Sequence, residues 1–285
     1  MTKNSPLFIL CLLILTVFAG SCTPSKQQEL TENKISFDTL SISDSLQIRV
    51  DSISAKCKVN LSMIYPSSCG EGYDLKKLQK LFISTMANEY GGFKNPESAI
   101  EFYRDSCYND FKLQMDDLAK NLPDFREDPP AFITGFFHQK DITAPFNKSN
   151  ILSLKTSIYD YTGGAHGYGA DLYQNYDLLN MEKITLSSLF EESSYPMLAE
   201  VIINQLVKDY NVKTPQELEE TGFFNVKQIS PTENFCFEDS ALMFSYTRYD
   251  IAPYSMGQIN VSVPYADLES FLKPNGLIQR MNQTK

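Results

Sequence analysis

The chain contains no tryptophan and only two histidines among its 285 residues. Short signatures of common enzymes are missing as well, because no HExxH, GxSxG or GxxxxGK[ST] occurs and no two cysteines stand in CxxC spacing. These absences argue against a zinc peptidase, a nucleophile-elbow hydrolase, a P-loop nucleotidase and a zinc ribbon. The sequence therefore favours a protein without catalytic residues, metal or cofactor.

Positive charge and long apolar runs are also scarce. The chain has 25 Lys and Arg against 35 Asp and Glu, a formal net charge of −10. So acidic a chain is not expected to bind nucleic acid, or anionic headgroups through a basic face. The apolar run from Leu7 to Ala19 behind Lys3 falls short of the roughly 20 residues that span a bilayer, and its length is typical of a signal peptide. Residues 1–21 are predicted to be an export signal.

The predicted signal ends in small residues directly before Cys22, in the order Ala19, Gly20, Ser21. This order resembles a bacterial lipobox, in which the cysteine is acylated, although a lipobox more often has Leu where Ala19 stands. Lipid on Cys22 is the expected membrane attachment, and ordinary secretion is the alternative. The following TPSKQQE has no dense acidic run, which favours the periplasm over the cell surface. Residues 22–47 are predicted to be a flexible tether.

Four cysteines remain beyond the tether's start: Cys57, Cys69, Cys107 and Cys236. In an oxidising compartment four thiols allow three sets of pairings, and the sequence does not choose among them. At least one disulfide is expected. Cys57–Cys69 is the preferred pair because the two residues flank the strand-like run KVNLSMIYP, and a zinc site is the weaker alternative.

Hydrophobic periodicity changes along the chain. Strand-like alternation is followed by two amphipathic segments whose starts are marked by Asp74 and by Asn95-Pro96, and strand patterns then dominate from AFITGFF onward. This order predicts an α+β fold in which antiparallel sheets carry helices on one face, in two small subdomains. The predicted subdomains are residues 48–142 and 151–272, and residues 273–285 form a polar tail.

The stretch YTGGAHGYG surrounds a histidine with residues of little or no side chain. Adjacent glycines permit positive φ and a close backbone approach, so the loop could offer N–H groups and an imidazole to a ligand. The candidate ligand contacts are Thr162, Gly163, Gly164 and His166. The alternative is a plain turn that happens to contain a histidine. A hydrolase would need partners for His166, such as Asp160, Asp171 or Ser157, and a metal site would need His138 and an acid.

A second block, YDIAPYSMG, presents two amphipathic rings beside a turn. Tyr249 and Tyr254 are therefore candidates for contact with a glycan or a protein. The alternative is that these rings close the edge of the core.

The order of three blocks resembles a known family. YTGGAHGYG, then YDLLNMEKITLSSLF, then YDIAPYSMGQINVSVPYADL resembles the C-terminal extracytoplasmic domain shared by the RsiV anti-sigma factor and the peptidoglycan deacetylase PdaC. The resemblance covers about residues 151–272. The region before it is similar in layout to the PdaC-type domain that precedes this domain in such proteins.

The resemblance implies a binding module. In RsiV this type of region acts as a receptor for lysozyme, and in PdaC it accompanies a separate deacetylase domain whose Asp and His metal ligands have no counterpart in this sequence. The leading interpretation is a lipid-anchored, non-enzymatic envelope protein that binds a cell-wall glycan or a protein. The alternatives are a glycan hydrolase or deacetylase using His166, and a purely structural envelope lipoprotein.

Overall fold

The structure, a computed structural model, describes residues 30–50, 53–88, 92–121, 134–274 and 277. The predicted signal peptide, Cys22 and the first part of the predicted tether lie outside the described residues, as does most of the predicted tail. Of that tail, Lys273 and Pro274 are described together with Leu277, which is buried against the C-terminal core.

Six strands form the larger sheet, in the order in which they occur along the chain. They are β1 (Ile35–Val50), β2 (Ile53–Cys69), β3 (Gly135–Lys148), β4 (Ile151–Tyr161), β5 (Tyr168–Asp177) and β6 (Glu182–Ile184). Helices α1 (Leu75–Met86) and α2 (Pro96–Asn121) lie between β2 and β3 in sequence and pack on the sheet. The α+β class is confirmed. The antiparallel prediction is wrong for one pair, because β2 and β3 run parallel, and α1 and α2 provide the long crossover that a parallel pair needs.

Both helices begin where the sequence predicts. The Asp74 carboxylate accepts hydrogen bonds from the backbone N–H groups of Lys76 and Lys77 at 3.0 and 3.2 Å, and the Asn95 side chain accepts one from Ser98 N at 2.9 Å. Each side chain satisfies donors that the first turn leaves without intrahelical partners. The apolar faces of the helices then bury Leu78, Phe82, Met86, Phe111 and Met115 in one core with β2.

The smaller sheet consists of β7 (Phe235–Phe237), β8 (Ala241–Tyr246) and β9 (Ile259–Pro264), paired antiparallel. Its helices are α3 (Leu186–Leu189), α4 (Tyr195–Asp209), α5 (Pro215–Glu220) and α6 (Tyr265–Leu268). Leu198, Ile202 and Leu206 recur along one face of α4 and are fully buried in the second core. This core gives the C-terminal subdomain its own interior.

The two faces of the larger sheet meet different neighbours. The side chains of Leu154 and Tyr176 belong to the core under α1 and α2. On the other face, Asn175 Nδ2 donates to Phe235 O of the smaller sheet at 2.7 Å. Successive residues of a strand point to opposite faces of the sheet. The register of β4 and β5 therefore shows which residues near the β4–β5 loop face the helices α1 and α2 and which face the smaller sheet.

The predicted tether is wrong over its second half, residues 35–47. Strand β1 occupies Ile35–Val50 and pairs with β2 from Ile35↔Cys69 to Val50↔Ile53. Its apolar side chains alternate with serine, threonine and aspartate and are only partly buried, as expected of an edge strand. Polar residues on the solvent face of an edge strand have the composition of a linker, which is why the sequence interpretation failed here.

The predicted subdomain boundary between residues 142 and 151 is also wrong. Strand β3 continues through Ile142, and β3 and β4 pair in one hairpin whose turn residues, Ser149 and Asn150, have φ values of 53° and 60°. Two consecutive positive φ values make a tight turn that matches the sheet twist, so the chain re-enters the same sheet. The C-terminal subdomain begins only after β6.

The preferred disulfide is excluded by geometry. Cys57 and Cys69 lie in the same extended strand, β2, where 12 residues at about 3.3 Å each place them some 40 Å apart, far beyond the roughly 7 Å limit for a disulfide. The four described cysteines are free thiols. None of the helices in the described ranges is long and apolar enough to cross a membrane.

Candidate binding surface at the β4–β5 loop

The loop between β4 and β5 is a glycine turn, as predicted. Gly163 and Gly164 have φ values of 102° and 88°, in the region where a side chain is strained. The Tyr161 hydroxyl donates to Gly164 O at 2.9 Å and ties the turn to the end of β4. The turn leaves His166 exposed at its tip.

The structure brings the two predicted sequence blocks together at this tip. The ring of His166 stacks on the ring of Tyr254, with centroids 5.4 Å apart and planes inclined by 26°. The Tyr254 hydroxyl donates to Gly167 O at 2.8 Å. Tyr249 lies 5.8 Å from Tyr254, centroid to centroid, and is 63% exposed.

Arg248 completes the surface and was not predicted. Its guanidinium lies over the ring of Tyr254, 5.2 Å from the centroid, and its Nη1 donates to Gly169 O. Its Nε is buried and has no hydrogen-bond partner within the described ranges. We call His166, Arg248, Tyr249 and Tyr254 the aromatic platform.

Two glycines give the platform its close packing. A Cβ added to Gly167 would lie 2.5 Å from the Tyr159 ring, and one added to Gly169 would lie 3.2 Å from Arg248 Nη1. Glycine at these positions therefore lets a ring and a guanidinium approach the backbone. In the sequence, the Gly167-Tyr168-Gly169 spacing is the feature that indicates such a close contact with the backbone. Nothing in the sequence pointed to Arg248.

The partners considered for a hydrolase are engaged elsewhere. Asp171 accepts a hydrogen bond from Ser157 and lies 3.5 Å from Lys155, and Asp160 is bonded to His138. Among the ion pairs of the described residues, none joins a carboxylate to His166. The surface around His166 consists of stacking rings and backbone polar groups.

Thr162 is separated from the rest of the predicted site. It borders a pocket on the side of α1 and α2, together with His138 and Asp160. The His138–Asp160 pair was missed because its members are 22 residues apart and meet only through the register of β3 and β4. No group of three or more His, Cys, Asp or Glu among the described residues could hold a metal ion.

The buried cysteines do not form a reactive site. Burial raises the pKa of Cys57, Cys107 and Cys236 to about 12, so these thiols stay protonated near neutral pH. Cys69 is half-buried, and its thiol donates to Tyr73 O at 3.5 Å. Cys22, the predicted lipidation site, lies outside the described residues.

Two family models match this chain. Residues 54–168 match the family described as Deacetylase PdaC, and residues 187–266 match the one described as Protein of unknown function (DUF3298). No curated protein matches the sequence. The resemblance predicted from the sequence, a PdaC-type region followed by the RsiV-type domain, is confirmed.

Two solved structures are similar to this chain. A member of the DUF3298 family from Bacteroides fragilis is 25% identical with a TM-score of 0.77, over 88% of this chain and 99% of that chain. A DUF3298 family protein from Pseudomonas aeruginosa is 14% identical with a TM-score of 0.54, over 84% and 96% of the two chains, and shares the fold. The PdaC and DUF3298 regions indicate an extracytoplasmic, envelope-related type of protein.

The aromatic platform lies where the two matched regions meet. His166 belongs to the region that matches PdaC, whereas Arg248, Tyr249 and Tyr254 belong to the region that matches DUF3298. Ligand sites occur preferentially where two structural units meet, because each unit contributes one wall.

Proposed function

We propose that this protein is a lipid-anchored envelope protein whose extracytoplasmic part binds a cell-wall glycan on the aromatic platform, without catalysing a reaction. The observation that carries the proposal is the stack of His166 on Tyr254 beside the exposed ring of Tyr249. Flat amphipathic rings with adjacent polar edges suit the apolar faces and hydroxyl groups of sugars.

The chemistry of the platform supports recognition of a ligand. Arg248 supplies a cation held over the ring of Tyr254, and His166 supplies an exposed imidazole. The side chains of Tyr254 and Arg248 are pre-positioned by hydrogen bonds to Gly167 O and Gly169 O, so little side-chain entropy would be lost on binding. The absence of tryptophan leaves tyrosine as the stacking residue.

The proposed location follows from the N-terminal sequence. The short apolar run followed by Ala19-Gly20-Ser21-Cys22 supports export and acylation of Cys22. The matches to the PdaC and DUF3298 families support an extracytoplasmic location, and the proposed orientation is towards the periplasm. A lipid anchor would hold the acidic domain near a membrane that its own charge would not attract.

Co-sedimentation with purified, insoluble peptidoglycan tests the proposal. We expect the chain carrying Cys22→Ala to sediment with peptidoglycan, and Tyr249→Ala to weaken this binding roughly two- to tenfold, the loss expected for one stacking ring. Tyr249 is exposed, so its replacement should leave the melting temperature unchanged.

Tyr168→Ala is the matched control. Tyr168 is 49% exposed and pairs with Asp160, which puts it on the opposite face of the sheet. Equal loss of binding in both variants, or no sedimentation above the level of an unrelated acidic protein, would contradict the proposal. If the protein instead captures a single envelope protein, and Tyr249→Ala abolishes this capture, the ligand of the platform is a protein and not a glycan.

A further inference from the structure

A separate pocket of about 580 Å³ lies on the other side of the larger sheet, between β3, β4, α2 and the end of α1. Its walls include Tyr103, Asp110 and Gln114 of α2, together with His138 and Asp160 of the sheet. This volume is in the range of small-molecule sites.

His138 and Asp160 form a hydrogen-bonded pair in this pocket. They are register partners in β3 and β4, and His138 Nδ1 lies 2.7 Å from Asp160 Oδ1. An ionised carboxylate can only accept, so Nδ1 of the neutral ring carries the proton and donates it. The other ring nitrogen, Nε2, is then left with a free lone pair.

That lone pair is not satisfied by the protein. His138 Nε2 is buried and has no hydrogen-bond partner in the part of the chain that the structure describes. Leaving a buried polar atom without a partner is costly, and such atoms call for an explanation such as a bound ligand. A ligand hydroxyl that entered the pocket, with a small movement of the lining, would give Nε2 its donor.

The charges around the pocket select against anions. Asp110 and Asp160 both line it, and the nearby cation, Lys140, is already engaged. Lys140 Nζ donates to Thr85 O, Met86 O and Asn88 Oδ1 at 2.9, 2.9 and 2.6 Å, which uses all three of its protons. The pocket thus combines free acceptors with negative charge, so its ligand must bring hydrogen-bond donors.

We infer that this pocket is a second binding site, which takes a small, uncharged, polyhydroxylated ligand of about the size of one sugar residue. One ligand hydroxyl donates to His138 Nε2 and another to the carboxylate of Asp110. Asp160 is a positioning residue that holds the His138 tautomer. The site is independent of the aromatic platform, because it lies on the opposite face of the sheet and shares none of its residues.

The two histidines make a direct test simple. Long-range ¹H–¹⁵N NMR spectra of the imidazole rings would be followed during titration with glucose. We expect the His138 signals to show the Nδ1–H tautomer and to shift with glucose, whether or not the His166 signals also move. His166→Ala removes one of the two sets of imidazole signals and so assigns the other set to His138.

Glucuronate is the matched probe, because it differs from glucose by one carboxylate. We expect it to leave the His138 signals unmoved at concentrations where glucose shifts them. Unmoved His138 signals with glucose, or equal shifts with both sugars, would overturn the inference. Neither outcome bears on peptidoglycan binding by the platform, so the two proposals fail separately.

Asp160→Asn tests the positioning role. The amide can present an N–H group to Nδ1, which would move the ring proton to Nε2 and remove the acceptor. We expect the NMR signature of the tautomer to change and glucose binding to weaken roughly two- to tenfold, the loss of about one hydrogen bond. Unchanged tautomer and unchanged binding in the folded variant would contradict this role, and the parent titration remains decisive if the variant does not fold.

Discussion

The ring of His166 rests on the ring of Tyr254, and the Tyr254 hydroxyl holds Gly167 O, 87 residues away in sequence. The contact joins the region that matches PdaC to the region that matches DUF3298. A loop that belongs to one region is thereby shaped by a segment of the other, and the exposed surface between them is the proposed site of ligand binding.

The turn glycines should matter for stability, and the histidine for binding. Gly163→Val or Gly164→Val forces a β-branched residue to positive φ, so we expect each to lower the free energy of unfolding by about 1–3 kcal/mol in urea titrations. His166→Ala should leave the unfolding midpoint nearly unchanged, because the side chain is exposed. Valine variants as stable as the parent would refute the strained turn.

Thiol reactivity should follow burial. In the native protein we expect a thiol-alkylating reagent to modify Cys69 first, and Cys57, Cys107 and Cys236 only after unfolding, because burial raises the pKa of these three to about 12. Mass spectrometry of non-reduced peptides checks this order. A Cys57–Cys69 cross-link would be incompatible with the register of β2.

Lys140 should make stability depend on pH in the mildly alkaline range. Burial lowers the pKa of Lys140 from 10.5 to about 8, so between these values the unfolded chain binds more protons than the folded one. The contribution of Lys140 to the free energy of unfolding is therefore at its maximum above the pKa that this side chain has in the unfolded chain. It is lost as the pH falls through the pKa of the folded protein.

The variant Lys140→Met isolates this effect. Relative to the variant, we expect the parent to gain about 1 kcal/mol of unfolding free energy between pH 7 and pH 9 in denaturant titrations. The buried thiols are the same in both proteins, so their contribution cancels in the comparison. Because their pKa is raised, they make the free energy of unfolding fall rather than rise above pH 9. A difference that does not change with pH would show that Lys140 is not desolvated in the folded state.

Lipidation of Cys22 is tested by cell fractionation. Cys22→Ala should leave the precursor unprocessed or release the protein from the membrane fraction, because the predicted acyl chains are the proposed attachment. Replacement of Ser21 by Ala, which keeps a small residue before the cysteine, serves as the control and should preserve membrane association. Unchanged detergent partition of the Cys22 variant would disprove the anchor.

Local chemistry determined much of this protein from sequence alone. The side chains of Asp74 and Asn95 cap helix starts, and Gly163-Gly164 makes a turn, because each signal depends on a few neighbouring residues. The α+β class and the family resemblance follow from the order of such local patterns along the chain.

Only the tertiary structure decided which distant segments meet. Strand register brings His138 to Asp160 and makes β1 an edge strand. Contacts between the two sheets place the guanidinium of Arg248 over the ring of Tyr254. A one-residue shift in register would move a side chain to the other face of the sheet. Register is set by the packing of the whole sheet against two cores, which no short stretch of sequence contains.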